Sequence, residues 1–169
     1  LKLIKYESRP LHPINDLKKI KDCAEKNCFG SKKSSGSFTD ISRAARLAYV
    51  NKVLTFLDVD VLMPLKIVVN AGNGAAGPTL DIIASTLKEL TKKINFEFIN
   101  HNPDSTFPNG IPNPLLVESH GQIAKKIRAC RADLGIAFDG DFDRCFFFDE
   151  NGDFIPGEYI IGLLATIFL

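Results

Sequence analysis

The stretch from Leu65 to Phe138 constrains the fold more than any other part of the sequence. Leu65-Lys66-Ile67-Val68-Val69-Asn70 is a short β-branched run, the pattern of a strand buried on both faces of a sheet. It runs into Ala71-Gly72-Asn73-Gly74-Ala75-Ala76-Gly77-Pro78, a glycine-rich turn in which Pro78 suits the first turn of a helix. Ile82, Ile83, Leu87 and Leu90 mark the inner stripe of that helix. A second strand follows from Ile94 to Ile99, then a Pro/Asn loop over 100–114, a helix over about 115–131 and a third strand from Asp133 to Phe138. Such alternation predicts an α/β fold: a three-layer α/β/α sandwich with a mostly parallel sheet and right-handed crossovers.

The flanks follow a different rhythm. Leu1-Lys2-Leu3-Ile4-Lys5 alternates like a strand, and Ile14, Leu17, Ile20 and Ala24 recur at helical spacing after Pro13. Residues 29–38 (FGSKKSSGSF) read as a surface loop. Thr39 or Asp40 then caps a helix with Leu47, Val50, Val53, Leu54 and Leu57 on its apolar side. Near the other end, Cys145–Asp149 and Phe154-Ile155 read as two strands joined by the turn Glu150-Asn151-Gly152-Asp153. Tyr159–Leu169 reads as a buried helix. The chain opens without Met inside a strand pattern and closes on Ile167-Phe168-Leu169 without a stop signal, which implies a stretch of a longer protein.

Composition narrows the classes of function. A hydrophobic fraction of 45% and a charged fraction of 24% are ordinary for a globular domain. A net charge of +1 gives no global field for nucleic acid or an anionic membrane, and neither is expected as a partner. No apolar run reaches the roughly 20 residues of a membrane helix. Cys23, Cys28, Cys130 and Cys145 form no CxxC pair and no zinc-finger spacing. With no signal-like segment, they read as reduced thiols of a cytoplasmic protein. Function must therefore reside in a local site.

The strongest candidate is Asp139-Gly140-Asp141-Phe142-Asp143-Arg144, directly after the third strand. Ligands of parallel α/β sheets bind at the carboxyl ends of strands. Three carboxylates at every second position repel one another unless a cation joins them, and a hard divalent ion such as magnesium or calcium suits an all-oxygen set. Gly140 permits a sharp turn, and Arg144 supplies a fixed charge for a phosphate oxygen or a ligand carboxylate. Three other readings compete. An EF-hand would place Glu150 twelfth, but its sixth position is Arg144 rather than Gly and its flanks are strands. An aspartyl-nucleophile phosphatase would carry Thr or Val where Asp143 stands. A solvated acidic turn needs no ion at all.

The run Gly72-x-Gly74-x-x-Gly77 fits the dinucleotide pattern GxGxxG. However, the second strand ends in Asn100-His101, not in an acidic ribose ligand. A tight turn with close backbone packing is the reading preferred, with a phosphate or interdomain contact as the alternative.

At these residues the chain resembles the α-D-phosphohexomutase superfamily, in particular bacterial-type phosphomannomutase. The resemblance rests on AFDGDFDRCFFFDENGDFIPGEYIIGLLA (137–165), NAGNGAAGP (70–78) and FPNGIPNPLL (107–116), and it extends over essentially the whole chain. It implies residues 1–52 as the end of a phosphoserine-bearing first domain, 53–155 as a second domain with the metal loop, and 156–169 as the first helix of a third. It implies Mg2+ on Asp139, Asp141 and Asp143, Arg144 beside the phosphoryl group, and Lys2 as an aid to proton transfer. The implied reaction exchanges mannose 6-phosphate and mannose 1-phosphate, with glucose phosphates as alternatives, through a phosphoserine and a bisphosphate intermediate. The family's Ser-His-Asn-Pro loop is absent from these 169 residues, so the fragment is expected to be inactive without the remaining mutase domains. The alternative class is a non-catalytic metal- or phosphate-binding module.

Overall fold

The strand Leu65–Asn70 carries apolar side chains on both of its faces, so it needs a layer of cover on each side, and the chain supplies it. The computed structural model describes residues 3–30 and 36–169, which form two separate compact units, residues 1–40 and 41–169. Lys2 lies outside the described residues.

The larger unit holds a five-stranded sheet of β1 (Leu65–Asn70), β2 (Ile94–Ile99), β3 (Leu134–Phe138), β4 (Cys145–Phe148) and β5 (Phe154–Ile155), in the order β2-β1-β3-β4-β5. β1 pairs in parallel with β2 and β3, β4 is antiparallel to β3, and β5 is antiparallel to β4. Four of the five strands therefore run in one direction. Between them lie α3 (Gly77–Leu90) and α4 (His120–Cys130), preceded by α2 (Ser42–Leu54) and followed by α5 (Gly157–Phe168); α1 (Lys18–Glu25) belongs to the smaller unit.

The period-two alternation of each strand sorts its side chains into two cores. Ile67 and Val69 join Ala71, Ala76 and Leu80 on the α3 side, with Phe96, Phe98, Ile136 and Phe138 packed around them. Val68 and Ala137 join Ile123, Ile127 and Phe148 on the α4 side. Ile123 and Ile127 are four residues apart on one helical face and are completely buried, each contributing roughly 1.5–3 kcal/mol. Gly135 lets α4 sit close, since a Cβ there would lie 2.4 Å from Ile127 Cδ1. The α/β/α sandwich with a mostly parallel sheet is observed.

Several boundaries differ from the expected ones. Of the expected opening strand, residues 1–2 lie outside the described residues, and in the described part Ile4 makes only an isolated bridge to Pro10, within a tight reversal where Glu7 and Ser8 take left-handed φ angles of 60° and 57°. Among the described residues no strand lies beside it to complete a ladder, and alternation alone does not make a sheet. The helix from Pro13 does form, its first turn wound wide by Leu17 N–H bonding His12 C=O at 3.3 Å. Ile14, Leu17 and Ile20 are nevertheless exposed. α2 starts at Ser42 with Ile41 in the cap position and ends at Leu54, leaving Leu57 beyond it. α4 starts later than 115, because a tight turn at Val117–Ser119 intervenes. α5 forms, but none of its residues is buried: among the described residues no element packs over Ile161, Leu163, Ile167 or Phe168. No helix among the described residues is long and apolar enough to cross a membrane.

Candidate metal centre

β3 delivers the chain to the carboxyl edge of the sheet, and the backbone turns back at once to begin β4. Asp139 is the hinge of this reversal. Its side chain is 2% exposed, and three donors satisfy it. The backbone N–H groups of Asp143 and Arg144 reach Oδ1 at 3.2 and 3.0 Å, and Arg144 Nε donates to Oδ2 at 2.9 Å. Backbone bonds from Asp139 N–H to Arg144 C=O and from Phe142 N–H to Asp139 C=O close the loop at 3.3 Å each. Phe142 takes a left-handed φ of 64°.

This folding brings the three predicted ligands together. One carboxylate oxygen each from Asp139, Asp141 and Asp143 lies within 4.8 Å of the other two, with Asp139 buried and the other two exposed. At that separation each pair of charges repels by roughly 1–3 kcal/mol, between the limits for water and for a protein surface. Arg144 offsets part of this repulsion: its Nε bonds Asp139 and lies 3.7 Å from Asp143 Oδ1. The sequence offers Arg144 to a phosphate oxygen or a ligand carboxylate; here its first engagement is with Asp139, while the side chain stays 48% exposed. Three convergent carboxylates, one of them rigidly oriented, fit a small divalent cation that prefers oxygen. The remaining predicted site residue, Lys2, lies outside the described residues.

The glycine-rich turn proves to be part of the scaffold of this loop. Ala75 N–H bonds Gly140 C=O at 3.0 Å, and a Cβ at Gly74 would lie 2.6 Å from that same oxygen. Gly72, at φ 60°, backs onto Pro112, and a Cβ at Gly77 would strike His101 C=O at 2.1 Å. Gly74 and Gly77 face protein backbone and Gly72 faces the Pro112 ring, the close packing that the tight-turn reading expects. Sequence reasoning did not foresee Asn73. Its N–H bonds Asn100 C=O (2.7 Å), its C=O accepts from Asp104 N–H (2.8 Å), and its side chain bonds Asn102 C=O and Asn109 Nδ2 (2.9 Å each). That one residue clamps the 100–114 loop, whose Pro112 packs near Gly140. The only signal was an Asn between two glycines, where a left-handed φ (here 55°) is favoured.

Comparison with known proteins bears on the same segment. Residues 47–152 match the family described as phosphoglucomutase/phosphomannomutase, alpha/beta/alpha domain II. The whole chain is 48% identical to a phosphomannomutase of Salmonella montevideo, covering 37% of that protein. It is 43% identical to a protein of Xanthomonas campestris pv. campestris named phosphohexose mutases, covering 36% of it. The chain thus spans little more than a third of the length of these curated relatives. Among solved structures, a phosphoglucomutase/phosphomannomutase family protein from Burkholderia thailandensis superposes with a TM-score of 0.68 at 27% identity, over 88% of this chain and 30% of that one.

Proposed function

This chain belongs to the phosphoglucomutase/phosphomannomutase family, and on that premise we propose that it is the metal-binding portion of a hexose-phosphate mutase. The observation that carries the reading is the convergence of Asp139, Asp141 and Asp143 at the carboxyl end of β3. Asp139, Asp141 and Asp143 would hold Mg2+, with Asp139 oriented in advance by Arg144 and two backbone N–H groups. When bound, the ion neutralises anionic oxygens so that a sugar phosphate and a protein phosphoryl group can approach each other.

The chain's own residues supply position and electrostatics, the main resources of phosphoryl-transfer catalysis. Arg144 keeps a half-exposed guanidinium beside the carboxylates, available to a phosphate oxygen. Lys2 is carried as a proton-transfer aid on the strength of the resemblance alone. The proposed reaction moves a phosphoryl group between a serine of the longer protein and the 1- or 6-hydroxyl of the sugar, by way of a hexose bisphosphate. Mannose phosphates are proposed as the preferred substrates, since the phosphomannomutase of Salmonella is among the relatives and matches the whole chain. The segments proposed are residues 1–52 from a first domain, 53–155 as the second and 156–169 from a third, in a cytoplasmic enzyme.

A mutase assay on the whole protein, comparing mannose 1-phosphate with glucose 1-phosphate, tests the substrate. In the same assay Asp141→Asn should lower turnover by about 100-fold or more without moving the melting midpoint. Near-parent turnover in that variant would show the metal assignment to be wrong. Sugar-independent Mg2+ binding with no mutase activity would indicate a binding module instead.

A further inference from the structure

Phe142 stands between two exposed carboxylates, yet its own side chain points inward and is half buried. The ring meets Phe138 edge-on, with centroids 4.8 Å apart and planes at 75°. It joins the core that α3 builds on the sheet through Ala76 and Leu80. Its backbone is in the left-handed region at φ 64°, where glycine is at ease and a bulky side chain is strained. This bend is what returns the Asp143 N–H to Asp139 Oδ1 and the Phe142 N–H to Asp139 C=O. A residue ill suited to the bend thus stands at the centre of the ligand set, with its ring packed against the core.

We infer that Phe142 is a positioning residue for the cation: its ring, seated against Phe138 and the α3 core, keeps the loop bent so that Asp139, Asp141 and Asp143 converge. The inference rests on the metal reading above. Phe142 touches no reacting group. It acts through the two aspartates beside it, as supporting residues tune metal ligands elsewhere. Its other side borders an open groove of about 420 Å3, lined by Ser42, Ala45, Arg46, Tyr49 and Thr79, so a smaller apolar side chain fits without a clash.

The test is Mn2+ titration into the full chain, followed by the electron spin resonance of the free ion, with circular dichroism melts of each variant. Phe142→Ala loses the ring and keeps the backbone strain; Phe142→Gly loses the ring and relieves it; Phe142→Leu keeps an apolar anchor. Affinity should fall about 10-fold or more in Phe142→Ala, recover only in part in Phe142→Gly, and stay within about threefold of the parent in Phe142→Leu. Asp141→Asn is the control and should abolish binding. If the parent binds Mn2+ and Phe142→Gly binds it equally well, the anchor contributes nothing and the inference is overturned, while the metal reading stands. Losses of affinity that merely follow the unfolded fraction in the melts overturn it too. If the parent binds no Mn2+, or Asp141→Asn binds as the parent does, the metal reading itself fails and takes the role of Phe142 with it.

Discussion

Asp139 and Asp149 sit at opposite ends of the β3–β4 hairpin, and their neighbours give the same carboxylate different work. Asp139 is buried and takes an arginine together with two backbone N–H groups. Asp149 organises the β4–β5 turn: its Oδ1 accepts from Asp153 N–H at 2.7 Å and Asn151 N–H at 3.0 Å. The Asp153 N–H, helped by Asn151 and Gly152, holds the Asp149 carboxyl below the usual carboxylate range. A depressed value in the folded state adds stability that is present above the unfolded value, about 3.9, and is lost as pH falls through the folded one. The amide resonances of Asn151 and Asp153 should therefore shift in a single step below about pH 4, and Asp149→Asn should remove that step. An unchanged step in the variant would assign it to another group. The sequence reading correctly treated Glu150 and Asp153 as turn residues, but it did not single out Asp149. Within Asp-Glu-Asn-Gly-Asp the carboxylates are alike on paper, and only the curvature of the turn decides which one the N–H groups meet.

Strands and helices between Leu65 and Ile155 were legible because each has one dominant periodicity and a clear stop. The carboxylate loop was legible for a related reason, since its position after β3 follows from the topology. What could not be read was contact at a distance. Nothing near Gly77 announces that His101 C=O will lie against it, because residues 77 and 101 meet only once α3 and β2 are stacked. Two glycines make the contrast measurable. Gly77→Ala meets a backbone oxygen that has nowhere to go and should cost about 1–3 kcal/mol in chemical denaturation. Gly121→Ala, in the first turn of α4 with open space around it, should be neutral or gain up to about 1 kcal/mol. Equal effects at the two positions would contradict the packing described. The opening segment shows the reverse failure: Leu3–Lys5, its described part, has the right periodicity but forms only an isolated bridge, and periodicity says nothing about partners.

At the scale of the whole chain, residues 41–169 carry the sheet, both cores and the carboxylate loop, and residues 1–40 form a unit of their own. Residues 41–169 expressed alone should melt within about 3 °C of the full chain, a drop of more than about 8 °C being the result that contradicts this. The family match at 47–152 falls inside that unit. The sheet has one further property. On one side it ends in β5, only two residues long; on the other it ends in β2, six residues from Ile94 to Ile99 that pair with β1 alone among the described strands. Backbone edges of that length are templates for more strands, and edges of two residues are not. A chain with a single long edge can recruit one neighbour and then has no edge left to offer. Association through the sheet edges of the described residues is therefore expected to stop at a pair of copies.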